Sequence, residues 1–169
     1  MSLPAAPLAD ERIFVGLGAN LGDARATLEA ALAALAALPD TRLMARSSYY
    51  RTAPVDAGGP DYLNAVAELR SSLAPEALLD ALQAIEQQHG RERPYRNAPR
   101  TLDLDLLLVG ALRLDTPRLT LPHPRLHQRA FVLAPLAELA PELAIYGLGD
   151  VSTLLAACAD QRIERLSPR

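Results

Sequence analysis

The sequence predicts an α+β domain built around an antiparallel sheet. Segments with strand character alternate with helical segments in the order β-α-β-β-α-β, and the two middle strands follow one another without a helix between them. That order is typical of a split βαβ unit whose two helices pack on one face of the sheet. At 169 residues, half of them hydrophobic, the chain is long enough to bury a core. We therefore expect one domain over residues 1–169, with residues 1–11 flexible.

The first half of the chain supplies three predicted strands and one helix. RIFVGLG is a short apolar run that ends in glycine and predicts a strand. ARATLEAALAALAALPD has leucines at helical spacing and Pro39 near its end, which predicts a helix. TRLMARSSYYRT (residues 41–52) and YLNAVAEL predict the second and third strands, and a loop rich in proline and glycine joins them.

The second half begins with a predicted helix, APEALLDALQAIEQQHG. Pro75 lies in its first turn, Leu78, Leu82 and Ile85 form an apolar stripe, and Gly90 is a C-terminal stop. The loop RERPYRNAPR then leads into the strand RTLDLDLLLVG. Beyond it we predict a short hairpin around ALRLDTPRLTLPHP, a helix near QRAFVLAPLAELAP, and a last helical turn or two around VSTLLAACA.

The composition excludes several classes of protein. The net charge of −3 argues against a general nucleic-acid footprint. All seventeen basic residues are arginine, so no lysine is available for a P-loop or a Schiff base. Cys158 is the single cysteine and is expected in the core, since it forms no internal disulfide and fits a reducing cytosol. The opening segment does not resemble a signal peptide, and no stretch approaches the roughly 20 apolar residues of a membrane helix. We expect a cytoplasmic protein.

Two aspartates interrupt the apolar strand RTLDLDLLLVG. In an extended segment Asp103 and Asp105 share one face with Leu107, while the alternating leucines take the other face. Like charges this close raise each other's pKa unless something positive lies between them. One interpretation is an edge strand with a solvated face; the other is a cation site.

The loop before this strand favours the cation site. It holds four basic residues against one acid, and they are Arg91, Arg93, Arg96 and Arg100. Carboxylates supply the hard oxygen ligands that Mg²⁺ prefers, and guanidinium groups bind phosphate oxygens. We therefore predict two Mg²⁺ ions between Asp103, Asp105 and a nucleoside triphosphate.

The segment RNAPRTLDLDLLL resembles the signature of the 6-hydroxymethyl-7,8-dihydropterin pyrophosphokinase (HPPK) family, folate-pathway enzymes that move a diphosphate from ATP to a pterin alcohol. The resemblance continues in order through GLGANLGD, SSYYRTAPVD, PDYLNAV and RLTLPHPRLHQRAFVL, over about residues 12–145. It implies a ferredoxin-like α+β fold, ATP as the donor, two Mg²⁺ ions, AMP as the leaving group, and three mobile loops. It also implies small-molecule partners, with no nucleic acid and no membrane, and we expect a monomer.

The resemblance implies a pterin site at the end of the sheet. There the backbone of Gly18 lies close to the ring, Asn64 reads the donor and acceptor edge beside Tyr62, and Phe131 stacks on the ring face. The implied backbone contacts are Thr52, Ala53 and Val55. From the residues alone, a tyrosine at the sheet rim and an asparagine that ends a turn are the alternative.

The resemblance also implies a nucleotide site. Its members are Gln83, Arg93, Arg96, Arg100, Arg118, Thr120, His123 and Arg129. Within it His123 and Arg129 are phosphate ligands, and Arg91 and Arg100 act with Asp103 and Asp105 in catalysis. His89 and His127 have no counterpart and are expected to face solvent. The sequence departs from the family pattern at Asn97, where an aromatic residue is common, and at Pro124, where a larger side chain is common.

Two other functions are considered. GLGANLG follows a strand, as a dinucleotide fingerprint would, but its G-x-G-x-x-x-G spacing is one residue too long. A non-catalytic ferredoxin-like module that binds RNA would require aromatic stacking residues on the central strands, and these are missing. Formation of AMP from ATP separates the kinase from both.

Overall fold

Apolar strands and amphipathic helices alternate along the chain in the computed structural model, which describes residues 11–20, 23–52, 61–89 and 102–166. The elements are β1 (Ile13–Ala19), α1 (Ala24–Ala36), β2 (Thr41–Arg46), β3 (Tyr50–Thr52), β4 (Tyr62–Ser71), α2 (Pro75–His89), β5 (Asp103–Val109), β6 (Leu114–Asp115), β7 (Thr120–Leu121), a 3₁₀ helix (Leu126–Gln128), α3 (Ala130–Leu139), β8 (Ala144–Ile145), β9 (Gly149–Asp150), α4 (Val151–Ala156) and β10 (Glu164–Arg165). The predicted flexible start falls almost wholly outside these ranges, and the loop RERPYRNAPR falls wholly outside them.

The main sheet is antiparallel in every pair of strands that the structure describes. β1 pairs with β4 on one side and with β5 on the other, and β4 also pairs with β2 and β3. β10 adds to β3, so the order is β10-β3-β4-β1-β5 with β2 on β4. The predicted α and β elements with an antiparallel sheet are thus confirmed. This pairing differs from the parallel sheet of a dinucleotide-binding fold.

Two apolar cores cover the two faces of the sheet. Alternate residues of β1 enter different cores: Ile13 packs in the first, with the buried leucines of α1 and α2, and Phe14 packs in the second, with those of α3. Full burial of one such side chain stabilises the fold by about 1.5–3 kcal/mol. The prediction that α1 and α2 share one face is confirmed. Cys158 is buried in the second core, as expected.

The second predicted strand is wrong in one respect, because residues 41–52 form two strands instead of one. Ser47 breaks the ladder: its N–H donates to the carbonyl of Val66 at 2.9 Å, and its Oγ accepts the N–H of Val66 at 2.9 Å. The hydroxyl therefore takes a place that a backbone carbonyl occupies in a regular strand. The N–H of Ser48 then turns to the carboxylate of Glu138, 3.0 Å away, before the chain resumes as β3.

The remaining predicted elements are present, including the β6–β7 hairpin, α3 and the short α4. The two-residue strands β8, β9 and β10 were not predicted, since they are too short to show periodicity. Within the described ranges, no helix has both the length and the apolar character that crossing a bilayer would require.

Candidate active site

A row of residues across the sheet brings the two predicted substrate regions together. Gly18 of β1 pairs with Asn64 on one side and with Asp103 on the other, and Gly16 pairs with Asp105. Residues directly opposite in antiparallel strands share a face, so all of these point to the same side. Since glycine has no side chain, neighbouring side chains lie over both positions, with Leu107 over Gly16 and Oδ1 of Asn64 over Gly18. We call this strip of the sheet, beside the two carboxylates, the glycine trough.

The two aspartates lie on one face, as predicted. Both are half-buried, and Leu104 between them packs in the first core on the opposite face. A bulge follows, because Val15 pairs with Leu106 while Phe14 pairs with Leu108, which leaves Leu107 as an extra residue. Both Leu107 and Leu108 consequently enter the second core. The apolar part of this face therefore begins directly beside Asp105, with the Leu107 side chain over Gly16.

At the other end of the row, Asn64 is 5% exposed and held by a side-chain hydrogen bond. Its Nδ2 donates to Oγ1 of Thr52 at 2.9 Å. A Cβ placed on Gly18 would lie 3.1 Å from Oδ1 of Asn64, so the amide oxygen points over Gly18. Thr52 pairs with Tyr62, which completes the group. The structure therefore brings together four of the predicted pterin contacts, and it gives the Thr52 side chain a role in orienting Asn64.

The start of α3 brings a predicted phosphate ligand next to a predicted pterin contact. The guanidinium of Arg129 lies 5.5 Å from the centroid of the Phe131 ring, within cation–π range. Phe131 is half-buried against the second core, on the face of the sheet that holds the glycine trough. Arg129 is the N-cap of α3 and Phe131 is the second residue of that helix, so the two side chains leave the chain close together.

His123 is positioned by two backbone contacts. Its N–H donates to the carbonyl of Leu107 at 2.9 Å, which joins the end of β7 to β5, and its Nδ1 accepts the N–H of Arg125 at 3.1 Å. An accepting Nδ1 assigns the proton of the neutral ring to Nε2. Burial lowers the pKa of His123, as do the charges of Arg129 and Arg125, whereas Asp105 acts in the opposite direction. His123 is thus a neutral N–H donor near Asp105 and Arg129.

Two further predicted nucleotide contacts, Arg118 and Gln83, lie at α2. Arg118, in the β6–β7 turn, donates to Oδ1 of Asp80 at 2.6 Å and lies 3.8 Å from the carboxylate of Glu76. Gln83 is exposed three residues after Asp80, hence on the same side of the helix. Thr120 opens β7 nearby in the chain and is half-buried. Arg118 and Gln83 therefore border one surface, where Arg118 is paired with acids.

Comparison with known proteins decides between the possible functions. The sequence pattern of the 7,8-dihydro-6-hydroxymethylpterin-pyrophosphokinase (HPPK) family matches residues 14–141. The chain belongs to the HPPK family. A Pseudomonas aeruginosa protein named 2-amino-4-hydroxy-6-hydroxymethyldihydropteridine pyrophosphokinase is 51% identical over 157 residues, which cover 92% of this chain and 97% of that protein. A Haemophilus influenzae protein of the same name is 41% identical over 92% of this chain and 98% of its own length.

Solved structures support the fold of the HPPK family. A crystal structure of HPPK-DHPS in complex with substrates superposes with a TM-score of 0.68 at 12% identity, over 89% of this chain. Plasmodium falciparum HPPK-DHPS, wild type, gives a TM-score of 0.68 at 13% identity over 87% of this chain. This chain spans 43% and 44% of the lengths of those two chains. The predicted family is confirmed, and with it the enzyme class of ATP-dependent diphosphokinases.

Several of the predicted HPPK site residues lie outside the described ranges, namely Ala53, Val55, Arg91, Arg93, Arg96 and Arg100. Among the residues that the structure does describe, no group of three or more His, Cys, Asp or Glu side chains could hold a metal ion. Asp103 and Asp105 nevertheless suit Mg²⁺ bound together with a nucleotide, because this ion typically takes one or two carboxylates, phosphate oxygens and water.

The two histidines without family counterparts differ from each other. His89 is exposed, as predicted. The prediction for His127 is wrong, because its ring is half-buried and its Nδ1 is inaccessible and has no hydrogen-bond partner. The 3₁₀ helix that carries His127 packs against α4, and this contact could not be read from the local sequence.

Sequence reasoning missed one buried and one half-buried carboxylate near the site. Glu86 on α2 is 6% exposed, and its Oε2 accepts the N–H of Leu104 at 2.7 Å. The sequence did indicate that Glu86 is buried, because Glu86 continues the i, i+4 stripe of Leu78 and Leu82. Glu138 on α3 accepts the hydroxyl of Tyr50 at 2.8 Å, and Tyr50 pairs with Asn64 in the same row. α3 is thereby fastened to the strand next to the pterin contacts.

Proposed function

We propose that this protein transfers the diphosphate group of ATP to the hydroxymethyl group of 6-hydroxymethyl-7,8-dihydropterin and releases AMP, as a step of folate biosynthesis. The family match and the relatives along nearly the whole chain support this reaction. The structural observation that carries the assignment of the site is the row in which Asn64 and Asp103 flank Gly18. This row places the Asn64 amide, which can hydrogen-bond to the edge of a heteroaromatic ring, beside the two carboxylates that would bind cations.

The carboxylates would hold the cations. We assign Asp103 and Asp105 to two Mg²⁺ ions that also contact the triphosphate, and these ions, when bound, neutralise phosphate charge and favour attack at phosphorus. The side chains already share one face, so no rearrangement of β5 is needed for both to reach the same ligand.

The pterin would bind across Gly18. Because Thr52 takes the Nδ2 hydrogen bond of Asn64, the amide presents Oδ1 toward this end of the trough as an acceptor for a ring N–H. Tyr62 and Phe131 supply flat apolar contacts at the sheet rim and on α3. Ala53 and Val55, which follow β3 in the chain, belong to the same proposal through the family resemblance.

In the reaction, the pterin hydroxyl oxygen forms a bond to the β-phosphorus of ATP, and the bond from that phosphorus to the oxygen bridging to the α-phosphate breaks. AMP leaves with this oxygen, and the hydroxyl proton passes to solvent. The chemistry depends mainly on alignment and charge stabilisation. His123 would donate Nε2–H to a phosphate oxygen and Arg129 would add a positive charge. Removal of one such contact typically costs about 10²–10³ in rate.

The arginine-rich loop would complete the site. By resemblance, Arg91 and Arg100 stabilise transition-state charge, with Arg93 and Arg96 assisting. Gln83, Arg118 and Thr120 would contact the nucleotide from α2 and the β6–β7 hairpin. Arg118 must then exchange its carboxylate partners for the nucleotide.

The proposal includes a ferredoxin-like topology, a monomeric state and a cytoplasmic location. The strand order β3-β4-β1-β5, with α1 and α2 on one face, supports the topology. An RNA-binding module of this class is disfavoured, because α3 and α4 pack on the second face of the sheet, where such modules stack bases. The net charge of −3 also argues against nucleic acid as a partner.

The test is product identification. The purified protein is incubated with ATP, Mg²⁺ and the pterin alcohol, and the nucleotides are separated by ion-exchange chromatography. We expect AMP and pterin diphosphate in equal amounts, and no AMP without the pterin. Formation of ADP, or unchanged ATP, would refute the proposed function.

A further inference from the structure

A buried carboxylate on α2 holds the strand that carries both candidate cation ligands. Glu86 is 6% exposed, and its Oε2 accepts the N–H of Leu104 at 2.7 Å. Leu104 lies between Asp103 and Asp105. Burial of a charged group is costly unless the group is hydrogen-bonded, so a carboxylate at this position implies a requirement for the bond it makes.

The hydrogen bond acts on the edge of β5 that faces away from β1. β5 is the end strand of the described sheet and pairs through β1 alone, with Leu104 opposite Leu17. The Leu104 N–H points away from β1 to Glu86, so a side chain takes the place of the missing strand. A slip of β5 by one residue would move both aspartates to the other face of the sheet. Glu86 therefore opposes the motion that would remove the carboxylates from the glycine trough.

The same contact aligns the two elements that would hold the nucleotide. Gln83 lies one helical turn before Glu86 on α2, and the aspartates lie on either side of the amide that Glu86 binds. Helix α2 and strand β5 are thus joined at a point between the candidate nucleotide contact and the candidate cation ligands.

We propose that Glu86 is a positioning residue that acts through the Leu104 amide to set Asp103 and Asp105 for divalent cation binding. This inference rests on the proposed function of the two aspartates. Removal of a group that orients metal ligands typically weakens metal affinity by about 10- to 100-fold. The leucines of α2 pack in the first core, so the helix keeps its apolar contacts when Glu86 is replaced.

Two variants separate this role from general stabilisation. Glu86→Leu fills the volume but accepts no hydrogen bond, and Glu86→Gln keeps a neutral acceptor in place of a charged one. Mn²⁺ is titrated by electron paramagnetic resonance in the presence of a non-hydrolysable ATP analogue, and the pterin alcohol is titrated separately without metal. We expect Mn²⁺ affinity to fall about 10-fold or more in Glu86→Leu and about threefold in Glu86→Gln, because a charged acceptor bonds more strongly than a neutral one. Pterin affinity should stay at the wild-type value.

A folded Glu86→Leu variant with wild-type Mn²⁺ affinity would overturn the proposal, as would equal losses of Mn²⁺ and pterin affinity. If Glu86→Leu does not fold, Glu86→Gln decides: a threefold loss of Mn²⁺ affinity supports the role, and an unchanged affinity refutes it. The titration requires no turnover. Its outcome is therefore distinct from a failure of the wild-type protein to release AMP, which would refute the proposed function instead.

Discussion

Asn64 and Asp103 occupy one cross-strand row of the sheet, with only Gly18 between them. The amide is suited to the edge of a flat heterocycle, and the carboxylate is suited to a hard cation. Because the middle position has no side chain, ligands of the two groups can approach each other above β1. This relationship explains how one rigid sheet could hold a pterin alcohol next to a metal-bound triphosphate.

The first prediction concerns the space above Gly18. Gly18→Ala places a Cβ 3.1 Å from Oδ1 of Asn64, which is too close for the amide to stay in place. We expect pterin affinity to fall about tenfold, equivalent to roughly 1.4 kcal/mol, with ATP affinity nearly unchanged. Gly16→Ala is the matched control, since its Cβ would meet Leu107 at an ordinary 3.5 Å. Binding titrations of both ligands check this, and equal pterin losses in the two variants would contradict it.

The second prediction concerns the acids that hold Arg118. Asp80→Asn removes the carboxylate 2.6 Å from its guanidinium, so Arg118 is released for the nucleotide. An exposed ion pair is weak, so we expect ATP to bind only about 1.5- to 5-fold more tightly. Glu76→Gln, which changes a contact at 3.8 Å, should have a smaller effect. Weaker ATP binding in Asp80→Asn would show that Asp80 holds Arg118 in its binding position.

The third prediction concerns alkaline stability. Burial and the hydrogen bond to Glu138 raise the pKa of Tyr50 from its usual 10.0 to about 12. The fold therefore favours the protonated phenol; its contribution is complete below pH 10 and is lost as the pH rises from 10 to 12. We expect Tyr50→Phe to lower the free energy of unfolding by about 1.5–3 kcal/mol at pH 8, with a smaller difference at pH 11. Urea unfolding at both pH values tests this, and a constant difference would be inconsistent with it.

The fourth prediction concerns acid stability. Hydrogen bonds from Arg12 and Arg70, each 2.8 Å long, hold the pKa of Glu68 below its usual 4.5 despite burial. Its contribution is therefore present above pH 4.5 and is lost as the pH falls through the lowered pKa of the folded state. Glu68→Gln should lower the free energy of unfolding by about 1.5–3 kcal/mol at pH 7 and by much less at pH 3. It should leave AMP formation unchanged. If the free energy of unfolding falls as much at pH 3 as at pH 7, packing and not charge explains the loss of stability.

Local sequence patterns predicted those features of the fold that depend on residues close together in the chain. The i, i+2 alternation placed Asp103 and Asp105 on one face of β5, and the leucine spacing placed α1 and α2. The break at Ser47 and Ser48 was not predictable, because it depends on Glu138, 90 residues away from Ser48 in the chain. The contact between Glu86 and Leu104 was missed for a similar reason, although the stripe position of Glu86 was visible.

We infer that Asp103 and Asp105 bind the cations of a diphosphate transfer. The most direct measurement is the rate of AMP release as a function of Mg²⁺ concentration in Asp103→Asn and Asp105→Asn, with Asp115→Asn on β6 as an exposed control. We predict that both site variants lose at least about 10²-fold in rate at saturating pterin and ATP, whereas Asp115→Asn keeps the wild-type rate. Wild-type rates with wild-type Mg²⁺ dependence in either folded site variant would contradict the account.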